Sequence, residues 1–177
     1  MRRLIIVGYM GSGKTTLGKW LAKKLKLEFI DLDWYIEARY HKTISELFAQ
    51  RGEEGFRQIE KNMLHEVAEF ENVIISAGGG TPCFFDNMQY MNRQAETIYL
   101  QATTETLLTH LNMGKSTRPL VAGKTEEELK EFIETSLAKR AAFYEQAHII
   151  FEPGPLTNDE LVETATNALI QKIRQNN

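Results

Sequence analysis

The stretch GYMGSGKTT at residues 8–16 constrains the fold of this chain more than any other feature of the sequence. It matches the spacing G-x-x-x-x-G-K-[ST], which joins a strand to a helix through a glycine-rich loop. Its three glycines permit positive φ angles, which turn backbone N–H groups inward onto phosphate oxygens. In such a loop Lys14 reaches the β- and γ-phosphates, and the hydroxyl group of Thr15 is a ligand for Mg²⁺. The stretch therefore predicts a polyphosphate site at the N-terminus of a helix.

The residues on both sides of this loop support the prediction. Residues 4–7 are a continuous apolar run, which is typical of a strand buried on both faces of a parallel sheet. After the loop, Leu17, Leu21 and Leu25 recur at helical spacing. A glycine-rich turn that binds nothing is the simpler alternative, but it does not require this order of strand, loop and helix.

Length, charge and cysteine content limit the class of protein. A chain of 177 residues suits one domain, 1–177, with a sizeable core. The formal net charge of −3 argues against sequence-independent binding to nucleic acid or to anionic lipid. No apolar run approaches the roughly 20 residues that span a bilayer. The single cysteine, Cys83, fits a reducing compartment, so we expect a cytoplasmic protein without a membrane partner.

Buried strands alternate with helices along the whole chain. Beyond the first strand, apolar runs predict strands at 26–31, 73–76, 97–101 and 148–151. This alternation predicts a doubly wound α/β fold with a five-stranded parallel sheet flanked by helices. The spacing does not give the order of the strands.

Three T-x-x-E patterns mark the starts of helices. They lie at 43–46, 125–128 and 157–160, and each is a capping box in which the threonine and the glutamate satisfy free backbone N–H groups. The first box opens a short helix that Gly52 ends, and a second helix then runs to about residue 70. The apolar stripe of this second helix leaves Arg57 and Glu60 to one side.

Two further segments differ from a simple crossover. Residues from about 33 to 71 form a helical insertion between two strands that is long enough to hold a co-substrate. Residues 112–124, NMGKSTRPLVAGK, are polar and cationic, and we interpret them as a mobile lid.

A phosphate loop does not identify the group that receives the phosphate. The sequence contains no N-K-x-D pattern of the kind that reads guanine in GTPases. A nucleic-acid motor would need a longer and more basic chain. A small kinase is the class that remains.

Six separated motifs resemble those of the shikimate kinase family, a group of P-loop small-molecule kinases built like nucleoside monophosphate kinases. In chain order they are GYMGSGKTT at 8–16, DLD at 31–33, GFRQIE at 55–60, GGGTP at 78–82, RPL at 118–120 and RAAFY at 140–144. The resemblance covers nearly the whole chain. It implies ATP-dependent, Mg²⁺-assisted phosphorylation of the 3-hydroxyl group of shikimate, on the route to the aromatic amino acids, by a monomer.

The resemblance also implies roles for individual residues. Arg57 and Arg140 would bind the shikimate carboxylate, and Asp33 would contact the reacting hydroxyl group. The complete shikimate set is Asp33, Arg57, Gly78, Gly79, Gly80 and Arg140. A ligand with one carboxylate and several hydroxyl groups suits guanidinium forks and a carboxylate acceptor.

On the donor side the resemblance implies that Lys14 and Arg118 stabilise the charge of the transferring phosphoryl group, with Arg118 supplied by the lid. The residues implied to bind ATP are Gly11, Ser12, Gly13, Lys14, Thr15, Thr16 and Arg118. The implied catalytic residues are Lys14, Asp33 and Arg118. Mg²⁺ would be bound directly by Thr15 and through water by Asp31.

One position departs from the family pattern. Many members carry an arginine that stacks on adenine seven residues before the RPL arginine, but this chain has Leu111 there. Lys115, His110 or Pro153 could replace that contact. The four histidines show no metal-ligand spacing, and we assign them no chemistry of their own.

Simpler readings and other functions stay open at this stage. Taken singly, each arginine could be a solvated charge, and Asp31 or Asp33 could be a helix cap. Alternative functions are a related kinase for gluconate or a nucleoside monophosphate, or a regulator that binds a nucleotide without transferring phosphate.

Overall fold

A computed structural model describes residues 2–113 and 123–176, and its centre is one parallel sheet. The strands are β1 (Arg3–Val7), β2 (Glu28–Asp31), β3 (Val73–Ser76), β4 (Glu96–Leu100) and β5 (Ile149–Phe151). Their spatial order is β2-β3-β1-β4-β5, and every pairing is parallel. The predicted doubly wound α/β fold with five strands is confirmed.

Seven α-helices connect the strands within the described residues. They are α1 (Lys14–Leu25), α2 (Leu32–Tyr40), α3 (Ile44–Val67), α4 (Asn87–Gln94), α5 (Thr104–Met113), α6 (Glu126–Tyr144) and α7 (Asp159–Asn176). A short 3-10 helix at Thr81–Cys83 follows β3. Because the strands are parallel, their carboxyl ends lie at one edge of the sheet, where ligands bind in folds of this kind.

The central strand β1 explains why its residues form an unbroken apolar run. Ile5 and Val7 belong to the core on one face of the sheet, whereas Leu4 and Ile6 belong to the core on the other face. Successive side chains of a strand point to opposite faces. Both faces are covered by helices, so every position must be apolar.

Two of the three predicted capping boxes are confirmed. Thr43 pairs with Glu46 at the start of α3, and Thr125 pairs with Glu128 at the start of α6. The third prediction was wrong. Helix α7 begins at Asp159, and the side chain of Asn158 accepts a hydrogen bond from the backbone N–H of Leu161. An Asx residue competes well with threonine for this position because its carbonyl oxygen reaches the free N–H groups directly.

The insertion between β2 and β3 is helical throughout most of its length. Sequence periodicity did not reveal α2 as a separate helix, because only Leu32 and Ile36 of that helix are buried. The predicted break at Gly52 is confirmed as a kink inside α3, where Gly52 has φ 66° and ψ 179°. Glycine adopts this conformation without the steric penalty of a β-carbon.

The predicted lid falls mostly outside the described residues. Asn112 and Met113, which we assigned to that loop, are instead the last residues of α5. Residues 114–122, including Lys115 and Arg118, lie outside the part of the chain that the structure describes. Among the described helices, none is both long enough and apolar enough to cross a bilayer.

Candidate active site

The loop between β1 and α1 has the backbone conformation that its glycines predict. The φ angles are 149° at Gly8, 82° at Gly11 and 94° at Gly13, all in the range that residues with a β-carbon rarely adopt. Ser12 is fully buried beside this turn. The side-chain ammonium group of Lys14 donates to the carbonyl oxygens of Gly8 at 2.8 Å and Tyr9 at 3.0 Å. The loop therefore curves around its own lysine.

Thr15 and Asp31 meet at the carboxyl edge of the sheet. The Thr15 hydroxyl group donates to Asp31 Oδ2 at 2.8 Å. The other oxygen, Oδ1, caps α2 by accepting from the backbone N–H groups of Asp33 and Trp34. Asp31 is thus both a helix cap and a partner of the phosphate loop. The two readings of this residue that the sequence left open are compatible.

The donor set of Thr15 and Asp31 fits a magnesium ion. A hydroxyl and a carboxylate are hard oxygen donors, and Mg²⁺ commonly takes one or two such protein ligands together with substrate phosphates and water. No group of three or more His, Cys, Asp or Glu side chains that could hold a metal ion occurs within residues 2–113 and 123–176. An ion at this position would therefore complete its coordination shell with nucleotide oxygens and water.

Asp33 lies in the first turn of α2, facing the same edge of the sheet. Burial raises the pKa of Asp33 from 3.8 to about 6, with further contributions from the negative charges of Asp31 and Glu60 and an opposing contribution from Lys14. A carboxyl group with this pKa is mostly ionised at neutral pH, but its charged form is held in the fold at a free-energy cost. Perturbed carboxyl groups in a cavity are typical of functional sites.

Glu60 and Arg57 form a buried ion pair on α3. Arg57 Nη1 donates to Glu60 Oε2 at 2.8 Å, and the two side chains are 11% and 2% exposed. Glu60 Oε1 accepts a second hydrogen bond from the hydroxyl group of Thr81 at 2.6 Å. The guanidinium carbon of Arg57 lies 4.1 Å from the centroid of the Phe84 ring. Neither charged residue lies on the apolar stripe, yet both are held inside the protein.

The glycine segment 78–80 brings the remaining predicted residues together. A methyl group added to Gly78 would lie 3.0 Å from Asp33 Oδ1 and 3.0 Å from Glu60 Oε1. One added to Gly80 would lie 2.6 Å from Arg57 Nη2. The close approach of these side chains explains why positions 78 and 80 have no β-carbon. Asp33 and Arg57 therefore converge on this segment from different helices.

Arg140 reaches the same segment from α6. A methyl group on Gly79 would be in ordinary contact with Arg140 Nη1, at 3.7 Å. The Tyr144 hydroxyl group, one turn further along α6, donates to the carbonyl oxygen of Gly79 at 2.5 Å. Burial raises the pKa of Tyr144, so this hydroxyl group keeps its proton. Tyr144 thereby fixes the backbone orientation of Gly79.

One cavity of about 1260 Å³ joins these two regions. Of the residues that the sequence assigned to ligands, nine line it: Gly11, Gly13, Lys14, Thr15, Thr16, Asp31, Asp33, Gly78 and Gly79. Within the described part of the chain, four other predicted residues do not line the cavity: Ser12, Arg57, Gly80 and Arg140. Arg118 lies outside the described residues. The predicted donor and acceptor residues are thus close together, with two arginines set behind the glycine segment.

Comparisons with known proteins agree with one another on the family. The family model described as shikimate kinase matches residues 10–173. A shikimate kinase of Parabacteroides distasonis is 55% identical over 171 residues, which cover 97% of this chain and 99% of that protein. This chain belongs to the shikimate kinase family.

Solved structures of the family have the same fold as this chain. A crystal structure of shikimate kinase from Bacteroides thetaiotaomicron has a TM-score of 0.95 and 52% sequence identity, and covers 98% of each chain. Shikimate kinase from Acinetobacter baumannii, solved in complex with shikimate, has a TM-score of 0.83 and 30% identity over 99% of this chain and 94% of its own. The P-loop kinase fold that the motifs imply is confirmed.

Membership of this family establishes the class of reaction. The chain is a kinase that uses ATP to phosphorylate shikimate, in the biosynthesis of the aromatic amino acids. The family match favours this activity over the three alternatives, which were a gluconate kinase, a nucleoside monophosphate kinase and a regulator without transfer activity.

The position that departs from the family pattern belongs to the core. Leu111 is 0% exposed and packs among the apolar residues on one face of the sheet, so it cannot serve as a platform for adenine. The preceding residue, His110, lines the cavity instead. Its ring nitrogens contact the Gly11 carbonyl oxygen and the Leu156 backbone N–H group.

Sequence reasoning missed the roles of Glu60, Tyr144 and His110 in this site. Glu60 and Tyr144 fall inside the motifs GFRQIE and RAAFY, and each lies three or four residues from its motif arginine, which is the spacing of neighbours on one helix face. That spacing was a usable signal. His110 was named only as a possible contact for adenine, and no spacing pointed to its backbone partners, which are distant in the sequence.

Proposed function

We propose that this cavity transfers the γ-phosphoryl group of ATP to the 3-hydroxyl group of shikimate, giving shikimate 3-phosphate and ADP, within a single kinase domain. The observation that supports this reaction most strongly is the convergence of the phosphate loop and the segment 78–80 on one cavity of about 1260 Å³. The first binds a polyphosphate, and the second is flanked by two guanidinium groups and a carboxylate. A transfer reaction needs both partners in one enclosed space.

On the donor side, we assign the phosphates of ATP to residues 11–16. The backbone N–H groups of the loop lie at the N-terminus of α1, where the helix dipole favours an anion. Lys14 exchanges its bonds to the Gly8 and Tyr9 carbonyl oxygens for the β- and γ-phosphates when the nucleotide binds. Its positive charge then stabilises the transferring phosphoryl group.

Thr15 and Asp31 are the residues that we assign to Mg²⁺, Thr15 as a direct ligand and Asp31 through water. When bound, the ion neutralises charge on the β- and γ-phosphates. The hydrogen bond of 2.8 Å between the two side chains shows that their oxygens lie next to each other beside the loop. Asp31 also holds the N-terminus of α2, so the same residue orients Asp33 two positions later.

On the acceptor side, Arg57 and Arg140 bind the carboxylate of shikimate. Arg57 keeps one donor nitrogen on Glu60 and is restrained by the ring of Phe84, so its guanidinium group is oriented before the substrate arrives. Arg140 approaches Gly79 from α6. Guanidinium forks match a planar carboxylate with two parallel hydrogen bonds.

Asp33 orients the 3-hydroxyl group and accepts its proton. With a pKa of about 6 the carboxylate is ionised at neutral pH and is a better proton acceptor than an ordinary aspartate. Phosphoryl transfer passes through a loose transition state, so the position of the hydroxyl group matters more than the strength of the base. Gly78 allows this carboxylate to approach the cavity floor because a β-carbon there would crowd it.

Arg118 supplies a further positive charge to the transferring group from the segment that follows α5, which acts as a lid. Closure of such a segment excludes water and so prevents loss of the γ-phosphate to hydrolysis.

We further propose that the enzyme acts as a monomer in the cytoplasm and without a nucleic-acid or membrane partner. The single free cysteine, Cys83, whose pKa is raised by burial, is suited to a reducing compartment and is not an activated nucleophile.

A coupled assay of ADP release tests the proposed reaction. We expect turnover that depends on shikimate, ATP and Mg²⁺, with gluconate and AMP as poor acceptors. Phosphorus NMR of the product should show a phosphate monoester on the 3-oxygen. ATP binding without shikimate-dependent ADP release would contradict the assignment and favour a nucleotide-binding regulator.

A further inference from the structure

His110 connects three parts of the nucleotide side of the cavity. It lies in the last turn of α5, which ends at Met113. Its Nδ1 atom is 2.6 Å from the carbonyl oxygen of Gly11 in the phosphate loop. Its Nε2 atom is 2.8 Å from the backbone nitrogen of Leu156, in the segment between β5 and α7. Gly11, His110, Met113 and Leu156 all line the cavity.

The two contacts determine how the ring is protonated. A backbone N–H group can only donate, so Nε2 must accept the hydrogen bond from Leu156. The proton of the neutral ring is then on Nδ1, which donates to the Gly11 carbonyl oxygen. Both polar atoms of the side chain are therefore engaged with the backbone, and neither edge of the ring is left to bind a base directly.

The segment held by His110 also contacts the phosphate loop by itself. The Leu156 side chain packs so closely against Gly13 that a methyl group on this glycine would overlap its Cδ1 atom. Gly13 caps the N-terminus of α1 with φ 94°. The phosphate loop is thus fixed on its outer side by one hydrogen bond at Gly11 and one packing contact at Gly13, and His110 holds both in place.

We propose that His110 is a positioning residue for the nucleotide. Its ring fixes the curvature of the phosphate loop at Gly11 and holds the Leu156 segment against Gly13. Loss of either hydrogen bond weakens binding of ATP and ADP while shikimate binding is unaffected, because Asp33 and Arg57 belong to other elements. This inference rests on the proposed assignment of the phosphate loop to ATP.

Three substitutions separate the two hydrogen bonds. His110→Asn keeps an amide donor near the position of Nδ1 and loses the bond to Leu156. His110→Gln keeps an acceptor near the position of Nε2 and loses the bond to Gly11. His110→Phe removes both bonds and keeps a ring of similar size. A neutral hydrogen bond of this kind corresponds to about a three- to tenfold change in an equilibrium constant.

The measurements are the dissociation constant of ADP by calorimetric titration and the KM values of ATP and shikimate. We expect His110→Phe to raise the dissociation constant of ADP and the KM of ATP about tenfold or more. His110→Asn and His110→Gln should each give a smaller increase. The KM of shikimate should stay within about twofold, with kcat changed less than the KM of ATP.

His65→Phe is the matched control, because His65 stacks on Tyr90 at 3.7 Å between ring centroids and does not line the cavity. Its ADP affinity should equal that of the unmodified protein. The inference is overturned if His110→Phe binds ADP normally, or if its losses appear equally in His65→Phe or in the KM of shikimate. The ADP titration needs no acceptor, so a failure of shikimate turnover would not be mistaken for a failure of this inference.

Discussion

The donor side and the acceptor side of the cavity differ in how they are built. The phosphate loop is continuous in sequence, and three glycines with positive φ give it its shape. The acceptor side is assembled around Gly78, Gly79 and Gly80 by side chains from α2, α3 and α6. The first region depends on local backbone conformation, whereas the second depends on tertiary packing.

The two regions also differ in their electrostatics. On the donor side, the charge of Lys14 is satisfied by backbone carbonyl oxygens. On the acceptor side, Asp33 is buried close to Asp31 and Glu60. Burial, together with the negative charges of these two residues, raises the pKa of Asp33 to about 6. Arg57, which pairs with Glu60, and Lys14 offset part of this negative charge. Ionised Asp33 on the acceptor side is therefore held at a free-energy cost.

The largest effect is expected on the donor side. Lys14→Ala should lower kcat by about 10²- to 10³-fold, because it removes a charge that acts on the transferring phosphoryl group. Steady-state kinetics at saturating shikimate would measure this. Lys23→Ala is the control, since Lys23 is an exposed lysine of the same helix. A similar kcat in both variants would contradict the role of Lys14.

Asp33→Asn should separate activity from stability. We expect kcat to fall about 100-fold, since the amide cannot accept the hydroxyl proton. The same change should raise the free energy of unfolding above pH 6 by up to about 3 kcal/mol, since the buried negative charge is removed. Chemical denaturation and kinetics on one preparation would test both effects. A variant that is both inactive and less stable at pH 8 would contradict the electrostatic account.

The raised pKa of Asp33 also determines how the stability gain of Asp33→Asn depends on pH. In the unfolded chain the group has its ordinary pKa of 3.8, and in the folded protein the pKa is about 6. Below pH 3.8 both states hold the proton and the group costs nothing. As the pH rises from 3.8 to about 6, the unfolded state loses its proton first, so ionisation of this group increasingly favours the unfolded state and the free energy of unfolding falls. The stability gain of Asp33→Asn should therefore appear between about pH 4 and 6, and kcat of the unmodified enzyme should fall below about pH 6.

A smaller effect is expected for the two arginines behind the glycine segment. Arg57→Ala and Arg140→Ala should each raise the KM of shikimate about 10- to 100-fold, because each removes charge-assisted hydrogen bonds to a carboxylate. The KM of ATP should change little. Arg93→Ala is a suitable control, because Arg93 is exposed and pairs with Asp86 at the surface. Unchanged shikimate kinetics in both variants would remove the carboxylate assignment.

The smallest predicted effect concerns packing behind the acceptor side. Gly80→Ala should raise the KM of shikimate about threefold to tenfold, since the new methyl group would lie 2.6 Å from Arg57 Nη2 and displace the guanidinium group. The KM of ATP in the same variant is the control and should change little, because the added methyl group faces Arg57. An unchanged KM of shikimate would show that Arg57 is not held by this contact.

The difference between the two regions also explains what the sequence could predict. The motif at 8–16 specifies both residue types and local geometry, so the loop conformation and the adjacent strand and helix followed from it. The two correct capping boxes are local for the same reason. The sheet order, by contrast, depends on which apolar runs lie side by side, and periodicity carries no such information.

On the acceptor side, spacing alone would not have identified the site. Arg57 reads as an ordinary helix charge unless Glu60, Phe84 and Gly80 are known to surround it. Family resemblance supplied that assignment, while the partner Glu60 went unrecognised. His110 was named only as a possible adenine contact, and its two hydrogen bonds were missed because both partners are backbone groups in distant segments. A contact to the backbone can be made by almost any residue type, so the partner's identity does not reveal it.

Equilibrium titration of Arg57→Ala with shikimate and, separately, with ADP tests the central claim most directly. If the acceptor side is built by side chains that converge on the glycine segment, the dissociation constant of shikimate should rise about tenfold or more while that of ADP stays within about twofold. An unchanged affinity for shikimate, or an equal loss for both ligands, would contradict the account.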